Sequence, residues 1–388
     1  MAYELGVITT IQLMERILGQ NGPICLSWDA TTVDGAHINE IHLTLNRSDC
    51  LTLDVRHIPG GKASDYVSHI VSSLTEAADT YSRYVGKPQQ EIFHLLKTKI
   101  SCTLSDRAAV NACVTRQLRD EFDSTLLQLN CNIHPLDSVA RRAKQNLVKL
   151  DTRWEIKGSC FGSDGSATNL INAVSVLRFK DGSGDPAGFK DMLRRHNLPM
   201  GTFVRYVGNR MHVLFHLAGV IVLHYNKVMD FLQTRCTSGG LLRSRLLNDL
   251  KNDKIIAQVW ALAVIGKVFT GPWMTKFYSS EMSNLDMRPL VKRCEQQLQL
   301  WLAEPDLLMT PTMNAFGEPL SPADDSVLTE ILCFISGEDA VQMEALRVLI
   351  QACMDVLNSQ LGIFIKDPEP SPICHSECSL CPHPQHGV

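Results

Sequence analysis

Apolar positions along the chain change period several times, and each change marks an element. Residues 3–20 carry apolar side chains at helical spacing and stop at Gly22-Pro23, which predicts a helix. Pro23 to Thr32, PICLSWDATT, is a short apolar run closed by Asp29, the first predicted strand. Asp34-Gly35 follows, a pair suited to a tight hairpin. Glu40–Leu45 and Leu51–His57 alternate in period two and read as strands two and three, ended by Pro59-Gly60-Gly61. From Ser64 the period turns helical, with Val67, Ile70, Val71, Leu74 and Ala78 on one face up to about Val85 and Ser64-Asp65 as the cap. After Gly86-Lys87-Pro88 comes a short amphipathic piece. Strand four (Lys99–Leu104) then runs into Asp106 and a helix, Arg107–Phe122. A fifth apolar run, Leu126–Ile133, and a helix over about Leu136–Leu150 complete the order β-β-β-α-β-α-β-α. That order predicts an α/β fold with a mixed sheet, because parallel strands need crossovers. Asp29 and Asp106 become neighbours if strands one and four pair.

The remainder changes character. Residues 151–200 contain GSCFGSDGSATN and KDGSGDPAG and read as a Gly/Ser/Asp-rich loop or linker. Residues 201–304 are helical throughout, over Met211–Leu232, Leu241–Lys251, Ile255–Phe277 and Arg288–Leu302. Two more helices, about Ala323–Ile335 and Asp339–Leu361, fill a C-terminal segment, 305–366. The tail from Asp367 is rich in Pro, Cys and His, has no core pattern and reads as disordered. The division expected is therefore an N-terminal helix (1–22), an α/β core (23–150), the linker, an all-α unit, the C-terminal helices and the tail.

Composition narrows the class. A formal charge of -4 excludes a uniformly basic nucleic-acid binder but leaves room for local basic patches. Of the 13 cysteines, Cys25, Cys102, Cys113, Cys333 and Cys353 sit singly inside apolar runs, as small buried hydrophobes rather than a disulfide framework. The N-terminus lacks the pattern of a secretory signal, and the apolar stretch Met211–Leu223 is too short to span a bilayer. A soluble, non-secreted protein without a membrane partner is expected. No GxGxxG, P-loop or GxSxG occurs, which weakens a small-molecule enzyme.

The candidate chemistry starts at Asp29. Burying an unpaired charge is costly, so this residue is either a strand-end cap or a metal ligand. Asp106 is equally suited to cap the helix after it. Cys131 and His134 form a Cys-x-x-His pair, two ligands where structural zinc takes four; a local role near the sheet edge, with Cys131 buried, is the alternative. Cys374, Cys378, Cys381 and His383, with His375 and His386 beside them, are dense enough for one zinc ion, but the paired knuckles of a zinc module are missing.

The segments LSWDATT with Asp29, the three-strand meander, KISCTLSDRAAVNACV with Asp106, and LNCNIHPLDSVA with Cys131 and His134 together resemble the RNase H-like catalytic core of hAT-type DNA transposases over roughly residues 23–300. Within it, Asp106-Arg107-Ala108-Ala109-Val110-Asn111 is similar to a family segment that runs from aspartate to asparagine. The resemblance implies an RNase H-like sheet interrupted by a helical insertion, and metal-dependent DNA strand cleavage and transfer as the ancestral reaction. Asp29 and Asp106 would be ligands for Mg²⁺ or Mn²⁺, and a late glutamate would complete the set. Glu330, Glu338 and Glu344 are the candidates, Glu330 foremost because apolar residues flank it. The family's BED-type zinc finger and its Ser-rich segment ending Glu-Arg have no counterpart in the sequence, so activity is expected to be impaired or lost. Arg205-Tyr206 and Arg210 match the family's Arg-Trp region with tyrosine for tryptophan. They are the expected DNA contacts, with further basic pairs at Arg141-Arg142-Lys144, Arg194-Arg195 and Arg243/Arg245 as a DNA path or as solvated helix faces. DNA as partner, a homo-oligomer and a nuclear location are implied in the same way. The alternative is a non-catalytic protein- or DNA-interaction protein with the helical part as scaffold.

Overall fold

The computed structural model describes residues 2–46, 49–208, 210–234, 240–278, 287–320, 325–334 and 339–366. They divide into two compact units, one built mainly from residues 1–132, the other from 133–276 and 289–366.

The first unit contains α1 (Ala2–Gly19), β1 (Ile24–Val33), β2 (Ala36–Asn46), β3 (Asp49–Ile58), α2 (Ala63–Val85), α3 (Gln89–Lys99), β4 (Ile100–Ser105), α4 (Ala109–Phe122) and β5 (Leu127–Asn130). The strands form one mixed sheet in the order β3-β2-β1-β4-β5. β1, β2 and β3 pair antiparallel, while β4 runs parallel to β1 and β5 parallel to β4. The short amphipathic piece before strand four is a full helix, α3. Asp34 (φ 50°) and Gly35 (φ 81°) both take left-handed backbone, as a two-residue hairpin between right-twisted strands requires.

β1 lies at the centre and is covered on both faces, which is why PICLSW shows no alternation. Ile24, Leu26 and Trp28 join Met14 and Ile17 of α1, Ile70 and Leu74 of α2, Leu96 of α3 and Val114 and Leu118 of α4 in one core. Cys25 belongs to a smaller cluster with Cys102, Leu104 and Leu129. A buried polar knot ties β2 and β3 to α2. His69 bonds Asn39 at 2.9 Å and Asp54 at 3.1 Å, and Ser73 donates to Asp54 at 2.6 Å.

The second unit is helical. It contains α5 (Pro135–Arg153), α6 (Ser166–Phe179), α7 (Pro186–Arg195), α8 (Val213–Leu223), α9 (Tyr225–Thr234), α10 (Leu241–Leu250), α11 (Asp253–Ile265), α12 (Gly271–Phe277), α13 (Met287–Ala303), α14 (Ser326–Cys333) and α15 (Asp339–Lys366). Two expectations are corrected. Residues 151–200 are not a loop: α6 and α7 run through them, and the Gly/Ser/Asp clusters are their boundaries. Gly165 precedes α6, while Asp185 caps α7 by accepting from the Gly188 N–H at 2.8 Å, with Pro186 in the first turn. The helix expected over Met211–Leu232 breaks at His224 into α8 and α9.

α11 is the central helix, buried at every position from Ile255 to Ile265. A π-turn, Gly266–Thr270, joins it to α12. By length and composition the stretch Asp253–Phe277 is apolar enough to cross a bilayer, but 83% of its most apolar window is buried inside the fold. Among the described cysteines none is in a disulfide; Cys25, Cys102 and Cys353 are buried as expected, Cys113 is half-buried and Cys333 is exposed.

Candidate functional site

Asp29 is not a strand-end cap. β1 continues to Val33 in its hairpin with β2, and what ends near Asp29 is the pairing with β4, whose last partners are Ser27 and Leu104. Continued by two residues, that register sets Asp29 opposite Asp106. Asp29 is the first exposed residue after five buried ones, so the strand delivers its carboxylate at the point where the buried sheet meets solvent.

Asp106 is not the helix cap either. The N-cap position of α4 belongs to Ala108. Asp106 Oδ1 instead accepts from the Ala108 N–H at 2.8 Å and from Asn111 Nδ2 at 2.5 Å. Asn111, buried on α4, accepts in turn from Trp28 Nε1 at 2.8 Å. The residue preceding Asp29 is thereby linked through one amide to the other carboxylate.

Tyr66, in the first turn of α2, is 8% exposed. Its phenol is held above the ordinary tyrosine range by burial first, and then by the negative charges of Asp106, Asp29 and Asp65. One hydroxyl thus senses both sheet-end carboxylates. Behind Asp106, burial pulls the Arg107 guanidinium down to about 10, opposed by its neighbour Cys131. The Cys131 N–H donates to the Ser105 carbonyl at 2.8 Å and extends the β4–β5 ladder by one bond.

The other described candidates belong to the second unit. His134 stands at the start of α5 in the second unit, where its charge acts on Asp137. Glu330 is exposed on α14, also in the second unit, and interacts with His224 rather than facing inward. Glu344 is bound by Arg153 at 2.5 Å and by Trp154 Nε1 at 2.7 Å. Among the described residues no group of three His, Cys, Asp or Glu is arranged to hold a metal ion. Glu338 and the tail residues Cys374, Cys378, Cys381 and His383 lie outside the described residues.

Arg205, Tyr206 and Arg210 occupy the irregular segment between α7 and α8, with both arginines exposed. Tyr206 is a support: its N–H donates to Ser175 Oγ at 2.8 Å, and its ring lies 5.5 Å from the Lys144 ammonium. Of the other basic residues, Lys144 pairs with Asp164 at 2.9 Å and Arg195 with Asp191 at 3.5 Å. Arg243 is buried against Phe231 and paired with Asp185 at 2.7 Å, so it belongs to the core and not to a surface path.

Sequence reasoning missed Trp28 and Tyr66. A signal for the first was present: a buried tryptophan needs an acceptor for its indole N–H, and Asn111 stands five residues after Asp106. In sequence comparison, no protein-family model matches the chain and no curated protein does.

Proposed function

We propose that the first unit is an RNase H-like core descended from an hAT-type transposase, and that Asp29 and Asp106 bind Mg²⁺ or Mn²⁺. The observation that supports this reading is the 3-2-1-4-5 sheet with β4 parallel to β1, whose pairing ends at Ser27 and Leu104, with Asp29 two residues further along β1 and Asp106 just past the end of β4. The donor set fits the ion. Both ligands are oxygen donors, both reach solvent, and Mg²⁺ commonly binds through one or two carboxylates while keeping waters or substrate phosphate oxygens. Such an ion, when bound, polarises a phosphodiester and lowers the pKa of an attacking water or 3′-hydroxyl.

The protein's part is to fix the two carboxylates on the sheet and to offer Arg205 and Arg210 to a DNA backbone. With no group of three His, Cys, Asp or Glu arranged to hold a metal among the described residues, cleavage is impaired or lost while metal binding is retained. A nuclear location and self-association accompany this descent.

Two measurements test the reading. Titration of Mn²⁺ should reveal a site removed by Asp29→Ala or by Asp106→Ala; binding indifferent to both substitutions would sink it. Incubation of supercoiled and end-bearing DNA with Mg²⁺ or Mn²⁺ should give little strand cleavage. Robust cleavage abolished by Asp29→Ala would overturn the loss of activity and leave the descent standing.

A second reading, a non-catalytic interaction protein with the helical unit as scaffold, is favoured by the same lack of a three-ligand group among the described residues. It predicts no Mn²⁺ site at Asp29. DNA binding whose affinity falls steeply with salt and weakens in Arg205→Ala and Arg210→Ala would favour the transposase descent over a pure protein scaffold.

A further inference from the structure

We infer that Trp28 and Asn111 are positioning residues for the Asp106 carboxylate, acting as a relay that aims it at a divalent ion shared with Asp29. The inference rests on the metal-site reading above and concerns what holds the ligand in place. An indole N–H only donates, so the acceptor 2.8 Å from Trp28 Nε1 must be the oxygen of the Asn111 amide. The orientation of the amide is then fixed, and its NH₂ group has to face Asp106 Oδ1, where it donates at 2.5 Å. Without Trp28 the amide is free to turn by 180° and present its oxygen to a carboxylate, which is repulsive.

Both of the relay's anchors are rigid. Trp28 is 3% exposed in the main core of the first unit, and Asn111 is 8% exposed on the first turn of α4. The two bonds to Asp106, from Asn111 and from the Ala108 N–H, land on the same oxygen, Oδ1. They pin the carboxylate by one atom, while Oδ2 takes no hydrogen bond among the described residues. Outer residues that orient a ligand in this way typically contribute about 10–100-fold in metal affinity.

The relay also joins the two halves of the pair. Trp28 precedes Asp29 on β1, and Asn111 lies on the helix that follows Asp106. A shift of β1 at Trp28 or of the first turn of α4 therefore moves the same amide.

The test is a Mn²⁺ titration, followed by the loss of the free-ion electron paramagnetic resonance signal, on the full chain. Asn111→Leu removes both bonds at similar volume; Trp28→Phe keeps an aromatic ring in the core and removes only the donor. Thr115→Val serves as a control for stability, since Thr115 lies on the same helix and bonds only Thr103, at 3.1 Å, away from the carboxylate. Each protein is also melted to confirm that it is folded. The expected result is a dissociation constant raised roughly 10–100-fold by Asn111→Leu, a smaller rise in Trp28→Phe, and none in Thr115→Val. Wild-type affinity in folded Asn111→Leu and Trp28→Phe would overturn the relay and leave the metal site intact. Equal weakening by Thr115→Val would overturn it too, by reducing the effect to general destabilisation. If the wild type binds no Mn²⁺, the functional reading falls and takes the relay with it.

Discussion

At the scale of single residues, the second unit holds histidines whose charge state is set by packing, His224 buried, His212 half-buried and His216 exposed. His212, beside Thr270 Oγ1 at 2.7 Å, is pushed down to about 4 by burial, with the nearby His216 and Lys267 adding to the effect. His216 and His224 are lowered for the same leading reason. A histidine whose folded pKa lies below its unfolded value stays neutral in the fold while the unfolded chain takes up a proton. Stability from this source is therefore complete above about pH 6.5 and drains as pH falls toward 4. Thermal melts should show the second unit losing on the order of 3 kcal/mol across that window from His212 alone. His212→Gln should flatten part of the slope, the other two histidines keeping the rest. A second prediction concerns Arg243, whose guanidinium is 8% exposed and bound to Asp185. Removing one partner of a buried pair strands the other, so Arg243→Met should destabilise by about 3 kcal/mol, the low end for such breaks because Asp185 is partly solvated. Urea denaturation measures it, and a loss below about 1 kcal/mol, the ceiling for an ordinary surface pair, would reclassify the pair as a surface one.

At the scale of elements, the connection between α6 and α7 is closed tightly by backbone. A Cβ built on Gly184 would meet the carbonyl oxygens of Val176 at 2.3 Å and of Leu177 and Lys180 at 2.8 Å. All three are backbone atoms of the preceding helix end and cannot swing away. Gly184→Ala should therefore cost about 1–3 kcal/mol, the range of overpacking in a closed space, where alanine at a permissive site would be neutral. In the first unit the knot around His69 does the corresponding work for β2, β3 and α2. His69→Leu leaves Asn39 and the partly buried Asp54 short of a partner and should cost about 1–3 kcal/mol, read as a lower urea midpoint. The same element-level view explains the pair of acids. β1 outruns β4 and continues its hairpin with β2 to Val33, while its pairing with β4 ends at Ser27 and Leu104, two residues before Asp29.

At the scale of the molecule, two units with separate cores predict two unfolding events rather than one. Trp28 is the one tryptophan of the first unit, and Trp154, Trp260, Trp273 and Trp301 fall in the second. Gly184→Ala should lower the transition that dominates tryptophan fluorescence and leave amide protection in β1 and α2 unchanged. A single shifted transition, with protection lost in both units together, would show that the cores are coupled.

What the sequence determined by itself is whatever depends on local period and local chemistry. The alternation of IHLTL and LTLDVRH, the helical face Val67–Ala78 and the Asp34-Gly35 turn are properties of a few neighbouring residues, and the elements formed where they stand. So did the α/β arrangement, because a meander followed by crossovers has few ways to close a sheet. The helices α6 and α7 were illegible because α6 is buried on nearly every side, so no polar face marks its period, and its caps use the same Gly, Ser and Asp that spell a loop. Tertiary structure alone decided what surrounds the Tyr66 hydroxyl. Residues 29, 66 and 106 are far apart along the chain, and only the β1–β4 register and the approach of α2 bring them to one place. Whether Asp106 caps a helix or faces a partner was decided by Asn111 and Trp28, through hydrogen bonds that no local pattern encodes.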